Sequence, residues 1–424
     1  MREELNKYTD ECWDIVNEAQ KDVGSRLPGS DGEKKFAKVM ADKLEKIGIT
    51  PKEEEFSVAP RSSIGGIPYA GWVGLVCVVI AFFALNWSYL FIPMFFILLA
   101  VWTWLILSVF LYKPWFDFMF KQKLSRNVVG EVLPEDGKYD YTIVLSGHMD
   151  TSWCWKHSAT NPKTVVPKMI YGVLGMVYLT IISIMGLVVF FKPEALFGEM
   201  YLDAYFEARN TWVTVNSFLL CFFVPGIYMI TLWNQKDEEL ASRGAMDNAT
   251  GIAIAYEATK YFKENPDKMP KNCRIIDLNC GSEEAGLRGS MAYCKQHKDE
   301  LANTWNINID SIADKDHFEV VKGDTWQFTH FDKNLEQWFM ESMKESGIEK
   351  PGNIVNPVGG CDSTPMVKAG VKTITFAAQN PTITQYYHTW MDVSDRFEKE
   401  TVGTGLDVVL RVIDKIAAEE EKNK

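Results

Sequence analysis

Three long stretches without a charged side chain constrain the fold of this 424-residue chain more than any other feature. They cover residues 62–112, 169–191 and 210–235. The hydrocarbon core of a bilayer requires about 20 apolar residues per helix, whereas apolar runs of about 10–14 residues are typical of buried core helices. The first stretch is long enough for two membrane spans, and each of the others is long enough for one.

The polar tetrapeptide 86–89 divides the first stretch into spans near 69–85 and 89–112. Aromatic side chains near the span ends are typical of the belts that mark membrane interfaces. They are Tyr69, Trp72, Trp87, Tyr89, Trp212 and Trp233. The sequence thus predicts four transmembrane helices in two hairpins, which occupy residues 61–113 and 166–235.

Basic residues predict the orientation of these hairpins, because Lys and Arg remain on the cytoplasmic side. Only Lys192 and Arg209 lie at the far ends of the spans. Eleven lie at the ends next to the rest of the chain: Lys52, Arg61, Lys113, Lys121, Lys123, Arg126, Lys156, Lys163, Lys168, Lys236 and Arg243. We therefore expect an integral membrane protein whose remaining residues and both termini are cytoplasmic.

Cysteine usage and net charge agree with that compartment and narrow the choice of partners. The eight cysteines are scattered singly, without a CxxC pair, which is typical of a reducing environment. The formal net charge of −12 and the lack of a basic stripe argue against nucleic-acid binding.

Outside the hairpins, apolar strands alternate with amphipathic helices. Strands are predicted over 50–58, 127–133, 141–146, 273–279, 304–309 and 371–376. Helices are predicted over 2–23, 32–47, 248–264, 290–296, 335–345, 362–369 and 400–420. This alternation predicts an α/β fold, a three-layer sandwich with a mixed, largely parallel central sheet. The domain is discontinuous and comprises residues 1–60, 114–165 and 236–424.

Five residues with metal-binding side chains lie in short patches, most of them at predicted strand ends or helix starts. They are His148, Asp247, Glu284, Asp310 and His388. Ligand sites in open α/β sheets collect at the carboxyl ends of strands. Two imidazoles and three carboxylates suit a pair of zinc ions that share one bridging carboxylate.

Each patch also has an ordinary structural explanation. A histidine at a strand end is often structural, Asp247 could cap a helix, and Glu283-Glu284 could be an exposed acidic loop. Adjacent carboxylates repel each other, however, and a reason to keep both is that one binds a metal while the other takes a proton from water. Five such patches in one order are hard to attribute to chance.

The patches resemble those of the co-catalytic zinc exopeptidases, which include bacterial leucyl aminopeptidases, glutamate carboxypeptidases and glutaminyl cyclases. The similarity covers 26–30, 127–131 and 243–402. It implies that two residues hold each zinc ion and that a fifth bridges them. The implied sets are His148 with Asp310, Glu284 with His388, and Asp247 as the bridge.

The resemblance also implies roles for residues that do not bind metal. Glu283 takes the position of the general base, and Asp150 is an outer partner that accepts a hydrogen bond from the second ring nitrogen of His148. Tyr387 corresponds to a tyrosine that binds the oxyanion, although Tyr386 competes for that role. In the implied mechanism the metals lower the pKa of a shared water, and Glu283 passes its proton to the leaving amine.

The function expected from these features is that of a membrane-anchored zinc exopeptidase, most simply an aminopeptidase. The alternatives are a carboxypeptidase or N-acyl amidase of the same fold, and a non-catalytic membrane receptor or scaffold. A carboxypeptidase needs a cation for the substrate carboxylate, for which Arg288 and Lys368 are candidates. A transporter is disfavoured because the uncharged stretches lack ionisable groups.

The main departure from the family lies between His148 and Asp247, where a membrane hairpin replaces a short loop beside the active site. We therefore expect the site to face the bilayer, with residues 151–155 near its mouth. The expected partners are the lipid bilayer and an apolar or membrane-associated peptide substrate. A homodimer is compatible with the sequence.

Overall fold

The computed structural model describes residues 2–198, 202–234 and 240–423. Within these ranges nine strands form one sheet. The strands are β1 (Lys52–Val58), β2 (Lys123–Val132), β3 (Tyr141–His148), β4 (Cys273–Cys280), β5 (Thr304–Ile312), β6 (Phe318–Asp324), β7 (Thr329–His330), β8 (Gly352–Asn356) and β9 (Lys372–Ala378). Their spatial order is β1-β2-β4-β3-β5-β9-β6-β7, and β8 pairs with β6.

The middle of the sheet is parallel, and most of the pairing outside it is antiparallel. β4, β3, β5 and β9 run in the same direction. β1, β2 and β6 pair antiparallel with their neighbours towards the centre. β3 and β4 are buried at every position, as expected for parallel strands covered on both faces. The predicted mixed, largely parallel sheet is confirmed.

Helices cover both faces of the sheet. The helices are α1 (Asn6–Asn17), α2 (Asp31–Lys46), α3 (Ile67–Ala84), α4 (Phe91–Trp104), α5 (Lys156–Thr160), α6 (Val165–Phe191), α7 (Pro193–Phe197), α8 (Leu202–Ile230), α9 (Thr250–Glu264), α10 (Arg288–Gln296), α11 (Lys333–Glu345), α12 (Ser363–Lys368) and α13 (Lys399–Lys422). α1, α2, α9, α11 and α13 share one large apolar core with the sheet. α10 and α12 enclose a smaller core on the other face, which completes the sandwich.

Four helical segments are long and apolar enough to cross a membrane: Ile64–Ala84, Ser88–Phe110, Pro162–Phe191 and Ala204–Ile230. They agree with the four predicted spans, although position 235 and Lys236, which entered the prediction, lie outside the described residues. Glycines bring these helices close together. A Cβ atom added to Gly175 would lie 2.7 Å from Cγ1 of Ile227. Such close approach favours helix association in lipid.

The two hairpins meet at the end next to the sandwich. The side-chain amide of Asn234, just after α8, donates to the carbonyl of Ile64 at 2.7 Å. The guanidinium of Arg61 donates to the carbonyl of Asn234 at 2.9 Å. The indole N–H of Trp155 donates to Oδ1 of Asn234 at 2.8 Å. One hydrogen-bonded cluster therefore joins the start of the first hairpin, the segment before the second hairpin, and the end of the second hairpin.

Three strands differ from the prediction, since β6, β7 and β8 were not expected. β6 contains Glu319 at a buried position, which interrupts its apolar pattern. β7 has only two residues, and β8 is only partly buried at the edge of the sheet. Their pairing depends on neighbouring strands rather than on a local sequence signal.

Candidate metal centre

The five predicted ligands converge at the carboxyl end of the parallel strands. His148 is the last residue of β3, and Asp310 is the third-last residue of β5. Glu284 follows the end of β4 by four positions. Asp247 precedes α9, and His388 lies in the loop after β9. Parallel strands bring their carboxyl ends to one edge, so residues from distant parts of the chain meet there.

The ligands form two sets that share Asp247. Nε2 of His148 lies 3.1 Å from Oδ1 of Asp247 and 3.7 Å from Oδ1 of Asp310. Nε2 of His388 lies 3.2 Å from Oδ2 of Asp247 and 3.3 Å from Oε1 of Glu284. In each set the candidate ligand atoms lie within 4.8 Å of one another.

These distances fit zinc. Bonds of about 2.0–2.2 Å from zinc to nitrogen or oxygen place neighbouring atoms of a tetrahedral site about 3.3 Å apart. The two oxygens of Asp247 face different imidazoles, as a bridging carboxylate requires. The donor set therefore fits two zinc ions, with His148 and Asp310 on one side and Glu284 and His388 on the other.

Protons compete with metal for these ligands. Burial acts to lower the pKa of His148, but hydrogen bonds to Asp150, Asp247 and Asp310 outweigh it and raise this pKa well above its ordinary value. Burial raises the pKa of Glu284 to about 8. Burial also acts to raise the pKa of Asp247, yet contacts with both imidazoles lower it overall. Because metal ligands must be deprotonated, zinc binding would release protons from this cluster.

Asp150 contacts the second ring nitrogen of His148 and also holds the backbone of the glutamate pair. Nδ1 of His148 lies 3.1 Å from the main-chain carbonyl of Asp150 and 3.5 Å from its carboxylate. The carboxylate accepts the backbone N–H groups of Glu283 and Glu284, each at 2.9 Å. Asp150 thus orients the imidazole mainly through its carbonyl, and its side chain holds the turn that carries the glutamate pair.

Two further buried carboxylates, which the sequence did not reveal, hold ligand-bearing loops. Asp392 accepts the N–H groups of Met246 at 2.8 Å and Asp247 at 3.1 Å. Glu33 accepts the N–H of Ser282 at 2.7 Å and its hydroxyl at 2.8 Å. Asp392 follows His388 by four residues, which is a weak signal in hindsight, whereas Glu33 stands three residues after the N-cap Ser30, where a glutamate is typical of a capping box.

Asp247 does not cap a helix, which removes the ordinary explanation for it. Helix α9 begins at Thr250, and Oδ1 of Asn248 accepts the N–H of Gly251 at 2.9 Å. Nδ2 of Asn248 donates to the carbonyl of Ile309 at 2.9 Å, next to the ligand Asp310. Asn248 therefore fixes the start of α9 against β5 and leaves the carboxylate of Asp247 to face the imidazoles.

Of the two tyrosines beside His388, only Tyr387 packs on the metal centre. Its ring stacks on the imidazole, with centroids 3.9 Å apart and planes at 27°. The hydroxyl of Tyr386 instead donates to the carboxylate of Asp314 at 2.9 Å. Tyr387 is thus the candidate for contact with an oxyanion.

Two aromatic residues near the hairpin ends border the site: Trp155, in the segment 151–155 that was expected near the mouth, and Tyr112, which was not predicted as a site residue. The Trp155 ring lies edge-on to His388 at 4.6 Å, and its backbone N–H donates to the carbonyl of His388 at 2.8 Å. Tyr112, two residues after the span that ends at Phe110, is buried. A Cβ atom added to Gly286 would lie 3.1 Å from Cδ1 of Tyr112, so this ring packs against the turn that follows Glu284.

The family comparison agrees with this geometry. Residues 231–413 match the model of peptidase family M28. This range contains Asp247, Glu283, Glu284, Asp310 and His388. The chain is a zinc metallopeptidase. The resemblance inferred from the motifs is confirmed, and His148 lies upstream of the matched range.

Solved structures show the same fold. A zinc aminopeptidase from Bacillus subtilis is 14% identical to the metallopeptidase, with a TM-score of 0.55 over 96% of this chain and 95% of that one. A leucine aminopeptidase precursor from Bacteroides thetaiotaomicron is 14% identical, with a TM-score of 0.52 over 96% of each chain. A glutaminyl cyclase from the same organism is 14% identical, with a TM-score of 0.52 over 96% of this chain and 97% of that one. These proteins have different activities, so the shared fold alone does not decide which activity this chain has.

Proposed function

We propose that this metallopeptidase is a membrane-anchored aminopeptidase with two zinc ions, which Asp247 bridges. The observation that carries the proposal is that the two oxygens of Asp247 face two separate imidazoles at 3.1 and 3.2 Å. Zinc bound in these two sets would polarise a substrate carbonyl and acidify a water molecule. None of the five ligands of the family is missing, which disfavours a non-catalytic receptor or scaffold.

Glu283 is the residue that we propose moves the proton. It begins the turn held by Asp150, next to the ligand Glu284. Burial raises the pKa of Glu283 well above its ordinary value, although the nearby His148 opposes the shift. A carboxylate with a raised pKa holds a proton long enough to deliver it, so Glu283 can accept one from water and give it to the leaving amine. Tyr387 would donate a hydrogen bond to the oxyanion.

The preference for the amino terminus of the substrate rests on charge. A carboxypeptidase would need a free cation, but Arg288 pairs with Asp117 at 3.1 Å and also donates to the carbonyl of Tyr112 at 3.2 Å. Lys368 donates to the side chain of Gln327 at 2.9 Å. Both candidate cations are therefore engaged, whereas the carboxylates around the site favour a substrate ammonium group.

The membrane part of the proposal rests on the four apolar helices and their flanks. The excess of basic residues at the hairpin ends next to the sandwich supports a cytoplasmic peptidase domain. Tyr112 connects the first hairpin to the turn after Glu284. Trp155 connects the end of the second hairpin, through Asn234, to His388. This placement supports apolar or membrane-associated peptides as substrates.

A peptide library tests the proposed activity. The purified full-length protein, reconstituted with zinc, is incubated with the library, and mass spectrometry identifies the end that shortens. We expect removal of single residues from the amino terminus, loss of this activity with a chelator, and recovery with zinc. Shortening from the carboxyl terminus, or an intact library, would contradict the proposal.

A further inference from the structure

Four large apolar side chains outside the candidate spans are exposed near the end of the first hairpin. Trp115, Phe118 and Met119, on the turn Pro114–Met119, are 64%, 80% and 66% exposed. Phe328, in the turn between β6 and β7, is 85% exposed. We call these four residues the apolar rim. Phe328 also has φ of 54°, a left-handed conformation that is rare for bulky residues.

Contacts with Phe110 place both parts of the rim at the end of a membrane span. Phe110 is the last residue of the span Ser88–Phe110. The ring of Trp326 stacks on the ring of Phe110, with centroids 4.4 Å apart and planes at 16°. The side-chain amide of Gln327 donates to the carbonyl of Phe110. Phe328 therefore follows Gln327, which contacts the span end at Phe110. The turn Pro114–Met119 begins four residues after Phe110.

The exposed charged residues among residues 113–123 are basic. Lys113, Lys121 and Lys123 are exposed. The acid among residues 113–123, Asp117, pairs with the buried Arg288 at 3.1 Å. Aromatic side chains with lysines beside a membrane span are the combination that favours an interface with anionic lipid.

We propose that the apolar rim inserts into the headgroup region of an anionic bilayer and seats the peptidase domain on the membrane surface. The partner is lipid rather than protein because the exposed aromatic residues continue directly from the end of a membrane span and carry lysines beside them. Tyr112 lies between the span and the rim and packs against Gly286. The rim thus places the glutamate turn of the active site close to the lipid surface.

This inference rests on the membrane anchoring in the proposed function, and Cys221 allows the two to be tested separately. Cys221 lies in α8 and is exposed, whereas the other seven cysteines are buried. A spin label on Cys221 reports the environment of the second hairpin. In a Cys221→Ser background, labels at Phe118→Cys and Phe328→Cys report the environment of the rim.

Leu133→Cys in the same background is the matched control. Leu133 is 43% exposed and follows β2 at the end remote from the rim. The ten residues of β2 place it about 30 Å from Lys123.

The experiment measures label depth in vesicles that contain phosphatidylglycerol, by comparing relaxation from oxygen with relaxation from a water-soluble nickel complex. We expect the labels at 118 and 328 to lie about 5–10 Å into the boundary between headgroups and acyl chains. The label at Cys221 should lie in hydrocarbon, and the label at 133 should lie in water.

Different outcomes separate the two claims. If Cys221 lies in hydrocarbon while positions 118 and 328 are as aqueous as 133, the rim proposal is wrong and the anchoring stands. If the label at Cys221 is aqueous, the anchoring fails and the rim proposal fails with it. Spin–spin broadening between copies at 118 or 328 would assign the rim to self-association and overturn the lipid assignment.

Discussion

Asp247 combines three constraints that no other ligand of the candidate metal centre shares. Its carboxylate faces both imidazoles, its backbone N–H is held by Asp392, and the adjacent Asn248 takes over the contacts at the start of α9. An alternative role as a helix cap was plausible from the sequence, because aspartate before a helix is common. In the structure Asn248, rather than Asp247, makes the side-chain contacts at the start of α9, so Asp247 is not a helix cap.

A Glu283→Gln substitution separates proton transfer from metal binding. The amide keeps the size of the side chain and the backbone contact with Asp150, but it cannot accept a proton from water. We expect turnover to fall by a factor of about 10²–10⁴ or more, with zinc content unchanged. Kinetics and elemental analysis on one preparation test this, with Glu349→Gln as the exposed control. Near-normal turnover in the Glu283 variant would refute its role.

An Asp277→Asn substitution tests a buried carboxylate outside the metal centre. Burial raises the pKa of Asp277 to about 7, against a hydrogen bond from Asn279 at 3.0 Å. Because the folded-state pKa exceeds the unfolded value of 3.8, the stabilisation is complete below pH 3.8 and is lost as the pH rises through 7. The variant should therefore gain stability relative to the parent as the pH rises from 5 to 8, by at most about 3 kcal/mol.

The measurement for Asp277 is thermal unfolding of parent and variant at several pH values in the same detergent. The exposed Asp395→Asn variant is the control. An equal difference between parent and variant at pH 5 and pH 8 would show that Asp277 does not titrate in this way.

The structure brings together the candidate ligands that the sequence indicated at the end of an apolar strand or before a helix, positions that have a local signal. Prediction from sequence did not identify Glu33, Asp392 or Tyr112, and it placed Trp155 only within the segment 151–155 near the mouth of the site. Their roles depend on backbone N–H groups, rings and glycines that lie far away in sequence. Such contacts exist only once the sheet has brought the loops together.

Among the elements, the central strands and the outer strands β1 and β2 could be predicted, whereas β6, β7 and β8 could not. β3 and β4 are buried at every position, and they contain the apolar residues 143–145 and 275–276. β6, β7 and β8 lie beyond β9, where short length and partial burial weaken the pattern. The four long apolar helices were the simplest to predict, because their apolar runs cover every face of the helix.

Trp155 hydrogen-bonds to Asn234 at the end of the second hairpin and contacts His388 of the candidate metal centre, so substitutions of Trp155 should affect zinc affinity. Trp155→Ala removes the ring beside His388, whereas Trp155→Phe retains a ring and loses the indole hydrogen bond to Asn234. We expect zinc affinity to fall by about 10–100-fold in the Ala variant and much less in the Phe variant.

Zinc transfer to a competing chelator measures this effect in the full-length protein. Trp115→Ala is the control, since Trp115 is 64% exposed and belongs to the apolar rim. Equal zinc affinity in all four proteins would show that the second hairpin does not position His388.

At the scale of the whole molecule, the hairpins and the peptidase domain form one connected structure. The ends of the hairpins join in the cluster around Asn234, and two of their residues reach the candidate metal centre. The inserted segments therefore lie beside the chemistry rather than apart from it. This arrangement motivates the proposal that substrates are taken from the membrane surface.

Turnover of matched peptides tests that proposal. One peptide carries an acyl chain at its carboxyl terminus, and the other has the same sequence without it. In vesicles we expect a higher kcat/KM for the acylated peptide, because it is concentrated at the lipid surface. In detergent at a concentration too low to bind the acyl chain, the kcat/KM values of the two peptides should converge. A preference for the soluble peptide in vesicles would contradict membrane delivery.

The central claim is a two-zinc site with Asp247 as the shared ligand, and zinc stoichiometry tests it most directly. The parent protein and an Asp247→Ala variant are purified in parallel, loaded with zinc, freed of excess metal and measured by elemental analysis. We expect about two zinc ions per chain in the parent and fewer than about one in the variant. A parent protein without zinc, or a variant that retains the full parental content, would contradict it.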